Sequence, residues 1–137
     1  AQLRGWNQFV GLQIEYSLIQ RTVEAELMPM AKAFGMTVTP WAPLGGGVLT
    51  GKYLKGDKGR LPESSIRLGE RATTIAKKVV EVAAQLGVTP GQLAINWTRQ
   101  HKRQSVIPIV GATKVSQLED VLGCLTFEIP ADALKQL

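Results

Sequence analysis

Met36-Thr37-Val38-Thr39-Pro40-Trp41-Ala42-Pro43-Leu44-Gly45-Gly46-Gly47-Val48-Leu49-Thr50-Gly51-Lys52-Tyr53 runs from an apolar stretch into a glycine-rich, cationic one. Residues 36–42 read as a strand. From Gly45 to Gly69 the chain is rich in glycine and charge and reads as a long, mobile loop, holding Lys52, Lys55, Lys58, Arg60 and Arg67. Loops of that length inside a compact domain are usually functional. The strand that delivers the chain to this loop is the centre from which the rest of the fold is read.

Upstream, residues 9–17 read as another strand, with Leu12, Ile14 and Tyr16 alternating with Gln13 and Glu15. If both faces of that strand are covered, Gln13 and Glu15 point at an interior or at a strand-end site. Residues 22–34 read as a helix capped by Thr22, with Val23, Leu27, Met30 and Phe34 as its stripe and Gly35 as its stop. Pro29 conflicts with a straight helix and predicts a kink or a late start.

Downstream, residues 70–86 predict a helix with Ile75, Val79, Val82 and Leu86 buried. Thr89-Pro90-Gly91-Gln92 then opens a third helix, with Thr89 as cap, Pro90 at the first helical position and Gln92 closing a capping box. It carries Leu93, Ala94 and Trp97 and ends near His101. Residues 105–110 are continuously apolar after Ser105, as expected of a parallel strand covered on both faces. A fourth helix follows over 115–125, with Leu118, Val121, Leu122 and Leu125 inward, and a last helical piece begins at Pro130. Strands alternating with helices imply a parallel α/β architecture. Three strands suit either a small open sheet or an arc of a barrel.

The 137 residues suffice for one domain with a real core, but not for a complete (β/α)8 barrel of roughly 250 residues. The opening Ala1-Gln2-Leu3-Arg4-Gly5-Trp6 reads as mid-domain, without a signal pattern. No apolar run approaches the ~20 residues of a membrane span. The single Cys124 rules out an internal disulfide and points to a reducing compartment, the cytoplasm being the expectation. The net charge of +5 is modest and suits nucleic acid or a phosphorylated ligand about equally well. The cations form no aromatic-interleaved stripe, so nucleic acid is not the expected partner.

Three segments gain weight together: Gln13-Ile14-Glu15-Tyr16; Trp41 through Tyr53; and Ile107-Pro108-Ile109-Val110-Gly111-Ala112-Thr113 with Gln117-Leu118-Glu119-Asp120. In this order and spacing they resemble strands six to eight of the aldo-keto reductase barrel. The likeness is closest to bacterial and plant members related to the potassium-channel β subunits, and it covers essentially the whole chain. It implies an α/β fold that is the C-terminal part of a (β/α)8 barrel, about three β/α units. Residues 1–137 would then be a fragment of a single barrel domain, with a cofactor loop at about 45–69.

The resemblance implies NADPH as cofactor. Gln13 matches the glutamine that bonds the nicotinamide carboxamide, since a primary amide donates and accepts at once. Trp41 matches the aromatic that stacks on the nicotinamide; core packing is the alternative. Ala42, Pro43 and Leu44 continue along the cofactor. Gly45, Gly46 and Gly47 would let backbone N–H groups approach a pyrophosphate, unless they are a plain hinge. Lys52 and Arg60 match cations of the loop that closes over the diphosphate. Gly111 and Thr113 lead into a helix N-terminus suited to the 2′-phosphate, with Gln117 and Asp120 beside the adenosine. Many relatives have Arg at the place of Thr113 and Asn at that of Val121, so a preference for NADP over NAD is not implied as firmly as the site itself.

No catalytic residue and no metal ligand is assigned. The family's proton-donating Tyr and its Lys, Asp and His lie on the first half of the barrel, and neither Tyr16, Tyr53 nor His101 matches one. The expectation is a parent enzyme that reduces aldehydes or ketones, with this chain inactive alone and needing the N-terminal barrel half or a second copy. The alternatives are a nucleotide-sensing subunit of the channel β type, or a free-standing α/β protein without cofactor.

Overall fold

A computed structural model describes residues 1–62, 64–100 and 105–137. The predicted role of His101 as the end of the third helix lies outside the described residues.

Two parallel strands, β1 (Gly11–Glu15) and β2 (Thr37–Trp41), pair in the register Gln13 to Thr39 and Glu15 to Trp41. Parallel strands need a crossover. Here it contains a short 3-10 turn, Thr22–Glu24, and the helix α1 (Leu27–Ala33). Among the described residues four α-helices follow β2: α2 (Glu70–Leu86), α3 (Pro90–Gln100), α4 (Val115–Leu122) and α5 (Ala131–Gln136).

α1 starts late. Glu26, at φ −132°, separates it from the preceding turn. Pro29 therefore falls in the first helical turn, where a missing N–H breaks no intrahelical bond. The break also changes the buried face. Met28 and Ala31 are buried, while Leu27 and Phe34, two members of the expected stripe, are exposed.

The expected third strand is also corrected. Residues 105–110 run beside β2, with Val38 N–H donating to Ser105 O (2.9 Å), Ile107 N–H to Val38 O (2.9 Å) and Ile109 N–H to Pro40 O (2.7 Å). Only Val38 and Val106 form a bridge. Pro40 has no N–H to return, so the ladder is interrupted there. Ile107 and Ile109 are exposed, so the segment is not covered on both faces.

The loop expected over 45–69 is largely organised. Short 3-10 turns form at Gly45–Thr50, Lys52–Lys55 and Ile66–Leu68, and Val48 and Leu49 are buried. Two apolar residues packed against α2 hold the glycine segment to the core.

α2 has the predicted bounds and buries Val79 and Val82, with Ala72, Ala76 and Ala83. α3 starts with the predicted box: Gln92 N–H donates to Thr89 Oγ1 and Thr89 N–H to Gln92 Oε1, each 3.2 Å. Trp97 of α3 is wholly buried, tilted against the Tyr16 ring at 5.4 Å between centroids, with the Arg21 guanidinium 5.0 Å over its own ring. Buried Asn96 donates to Phe127 O (2.7 Å), and Gln100 Oε1 accepts from Ile129 N–H (2.9 Å). These two side chains pin the C-terminal segment to α3.

α4 ends at Leu122 and passes into a 3-10 turn, Gly123–Leu125. Of its expected inward residues only Val121 is buried, clustered with Ile95 of α3 and Cys124; Leu118, Leu122 and Leu125 are exposed. The helix touches the core along one narrow edge, and no described element covers its other flank.

Candidate functional site

Where β2 ends, the chain turns through Ala42 at φ 52°. A side chain held in that left-handed region is strained by about 1–3 kcal/mol, and such strain survives only where surrounding structure fixes it. The three glycines that follow also have positive φ: 59°, 72° and 94°. Their conformation requires glycine, and so does their crowding. A Cβ would meet Ile19 at position 45, Leu61 at 46 and Lys52 at 47.

These turns wall a groove of about 790 Å³. One side is Trp41 to Leu44, with Gly46, Gly47, Thr50 and Lys52. Arg60, Leu61 and Arg67 lie across the top, and Ile109 through Thr113, Gln117, Asp120 and Val121 form the opposite wall. Every predicted site residue lines this groove except Gln13 and Gly45.

Gln13 is exposed on the face of β1 that it shares with Glu15, in register with Thr39, one alternate position short of Trp41. Gly45 is buried and walls a second hollow, about 540 Å³, instead of the groove. Gly45 N–H and Gly47 N–H donate to Ala42 O (2.8 Å) and Leu44 O (3.0 Å). Those two donors close turns and are not free for an anion, contrary to the expectation for the triplet.

Trp41 retains 39 % exposure at the groove, unlike the core packing considered as its alternative. Lys52 Nζ lies 5.1 Å over the Tyr53 ring. The Tyr53 hydroxyl donates to Gly46 O (3.3 Å) and accepts from Leu61 N–H (3.0 Å), tying the glycine turn to the segment above it. Among the described residues no carboxylate pairs with Lys52 or Arg60.

Arg67 was visible in the sequence only as part of the cationic concentration. It lines the groove and forms an ion pair with Glu15 at 2.9 Å, across the end of the sheet. Gly91, Thr50 and Leu61 also line the groove without having been singled out for it. Gly91 and Leu61 gave no signal because each arrives through packing of distant elements, whereas Thr50 lies within the quoted glycine segment and is turned back onto Gly47 O at 2.8 Å.

On the opposite wall, Thr113 N–H and Thr113 Oγ1 both donate to Gln117 Oε1, at 2.9 and 3.1 Å. Asp120 is held by the start of α3: Oγ1 of Thr89, the capping residue, donates to its Oδ1 at 3.0 Å, and Gln92 Nε2 donates to its Oδ1 at 3.1 Å and its backbone O at 2.8 Å.

The tyrosines are engaged elsewhere. Tyr16 is buried, and its hydroxyl donates to Glu24 Oε1 at 3.0 Å. Burial, then the Glu24 charge, holds the phenol far above its ordinary range, so it stays protonated. Cys124 lies behind the groove wall; burial pushes its thiol up, partly opposed by Arg99. Among the described residues no group of three or more His, Cys, Asp or Glu side chains is arranged to hold a metal, and no helix is long and apolar enough to cross a membrane.

Flanking cations, a half-exposed indole and a carboxylate opposite suit a long, flat-ended, phosphate-bearing ligand. The groove is within the usual size of small-molecule sites, ~300–1,000 Å³.

The profile of the Aldo/keto reductase family matches residues 1–137. An uncharacterized oxidoreductase, YrpG, of Bacillus subtilis is 32% identical over 133 residues, covering 95% of this chain and 40% of its own length. A protein of Oryza sativa subsp. japonica named "Probable voltage-gated potassium channel subunit beta" is 35% identical over 136 residues, 85% of this chain and 40% of its own length. "Probable aldo-keto reductase 1" of Glycine max is 30% identical over 135 residues, 92% of this chain and 38% of its own length. The chain spans about two fifths of the length of the curated relatives it matches.

Proposed function

The chain belongs to the aldo/keto reductase family, and from that premise we propose that its groove holds the nicotinamide dinucleotide NADP(H) for an oxidoreductase acting on aldehydes or ketones. When bound, the cofactor supplies the hydride. Trp41 stacks on the nicotinamide, and Gln13, on the same sheet face, reaches its carboxamide. Ala42, Pro43, Leu44 and Gly46 form the bed, Lys52 and Arg60 neutralise the diphosphate, and Gly111, Thr113, Gln117 and Asp120 receive the adenosine end. Gly45 acts as a turn residue outside the bed.

The observation that carries this reading is that Trp41 remains half open in the same groove as Lys52 and Arg60, two cations that no carboxylate pairs with among the described residues. In this reading the 137 residues form the last three β/α units of a (β/α)8 barrel in a cytoplasmic protein. The open sheet face meets the remaining units or a second copy. Tyr16 is sealed against Glu24, and the Tyr53 hydroxyl is spent on Gly46 and Leu61. Neither is placed to protonate a carbonyl, so the 137 residues alone should bind nucleotide without reducing one.

Titration with NADPH should quench tryptophan fluorescence saturably in the wild type, and Trp41→Phe should remove most of the change. Absence of saturable binding by either fluorescence or calorimetry would refute the assignment. The similarity to the rice protein favours a second reading, in which the bound nucleotide reports redox state to a channel partner. A complete Asp, Tyr, Lys and His set elsewhere in the polypeptide would favour the enzyme.

A further inference from the structure

The N-terminus of α3 does more than start a helix. Gln92 uses its whole amide: Oε1 accepts from Thr89 N–H, and Nε2 donates to both Asp120 O and Asp120 Oδ1. Thr89 likewise accepts from Gln92 N–H and donates to Asp120 Oδ1. Two donors, one from the cap of α3 and one from its first turn, therefore converge on one oxygen of a carboxylate that belongs to α4. Bonds to a charged acceptor are stronger than neutral ones, and two from different side chains fix its rotation as well as its place.

The other oxygen is left over. Among the described residues no group donates to Asp120 Oδ2. It lies beside Gly91, 3.6 Å from where a Cβ at that position would stand, and both Gly91 and Asp120 line the groove. Gly123 supplies the remaining condition. A Cβ there would collide with the Gln92 amide nitrogen, although the backbone at 123 (φ −56°) is ordinary for any residue. The glycine at the end of α4 thus makes room for the amide that holds Asp120.

We infer that Gln92 is a positioning residue of the groove. It sets the Asp120 carboxylate so that Oδ2 faces the ligand and accepts a hydrogen bond from an N–H or O–H group of the adenosine moiety. This rests on the cofactor reading above and adds to it a residue outside the groove wall that decides how the wall presents its charge. The neighbouring wall shows what an unassisted residue looks like: the Thr113 donors are turned inward onto Gln117, on the same segment.

The capping and positioning roles can be separated. Gln92→Glu preserves the acceptor that Thr89 N–H requires, so the helix start is retained. It replaces the amide donor by a second carboxylate facing Asp120. Gly123→Ala leaves every hydrogen-bonding group in place and displaces the amide by bulk alone. In the full-length protein, calorimetry with 5′-AMP and with nicotinamide mononucleotide reads the two halves of the groove independently.

Both variants should weaken 5′-AMP by about tenfold, the effect of one charge-assisted bond made poorly. Both should leave nicotinamide mononucleotide within about twofold and the melting temperature near that of the wild type. Unchanged 5′-AMP binding in the variants, with NADPH still quenching Trp41, overturns the positioning role and spares the cofactor reading. Equal losses for both mononucleotides together with a lower melting temperature overturn it in favour of a purely structural role. A wild-type protein that binds no nucleotide overturns both.

Discussion

The two faces of the β1–β2 sheet come from the same ten residues and have opposite fates. One face presents Leu12, Ile14, Val38 and Pro40 to the core that contains Tyr16, Trp97 and the α2 valines. The other presents Gln13, Glu15, Thr39 and Trp41, continued by Ile107 and Ile109, and among the described residues it stays largely open, with Arg67 reaching over its Glu15 end. Two of the three tryptophans condense the contrast: Trp97 is 0 % exposed and Trp41 39 %. Apolar area removed from water stabilises a fold, whereas a half-wet ring retains surface that a ligand can still bury. Under the proposed cofactor reading, stability and recognition fall on opposite sides of one pair of strands.

The largest test of that division is Trp97→Ala. Removing a wholly buried ring should cost about 3–5 kcal/mol in urea unfolding, and a loss below about 1 kcal/mol would break the contrast. A pH titration of stability comes next. Because the folded protein holds the Tyr16 phenol above its unfolded value, the associated stability is complete below about pH 10 and declines as pH rises beyond it. Tyr16→Phe should flatten that alkaline limb. An identical slope in the variant would detach Tyr16 from it.

On the open face the effects should move from stability to binding. Trp41→Ala should change unfolding free energy by less than about 1 kcal/mol while weakening nucleotide by roughly tenfold or more, the value of a ring-on-ring stack. A large stability loss with unaltered binding would reverse the roles of the two indoles. The smallest effect is expected for Glu15→Gln. It removes an ion pair whose arginine is more than one third exposed, and such pairs are worth about 0–1 kcal/mol. Parallel unfolding curves with nearly equal midpoints would sharpen the comparison.

Legibility followed the reach of the interactions. The bounds of α2, the Thr89–Gln92 box and the two strands were readable because capping, glycine stops and alternation act within a few residues. Pro29 announced the late start of α1, but the stripe was misread because the break at Glu26 resets the helical phase, and a proline does not say which face follows it. The α4 face was misread because periodicity says that leucines share a side, not that anything lies opposite them. The third strand lost its regularity to Pro40, whose missing N–H matters only once residues 105–110 are known to lie beside it.

The candidate site divides in the same way. Local chemistry marked Trp41, the glycine turn, Lys52 and the Gly111–Asp120 segment. Gly45 walls the second hollow instead, and Arg67, Gly91 and Gln92 came to the groove or its support from other elements.

By itself the sequence determined the family, the order of the helices and the first two strands, and most of the residues that meet around the groove, since these follow from short-range sterics and from motifs whose members lie close together. Tertiary structure alone decided which face of each element is covered, that Arg67 spans to Glu15, and that a helix cap on α3 orients a carboxylate on α4. Those contacts join residues 28 to 52 positions apart, and a contact at such separation is chosen by how whole elements pack rather than by anything their neighbours in the chain dictate.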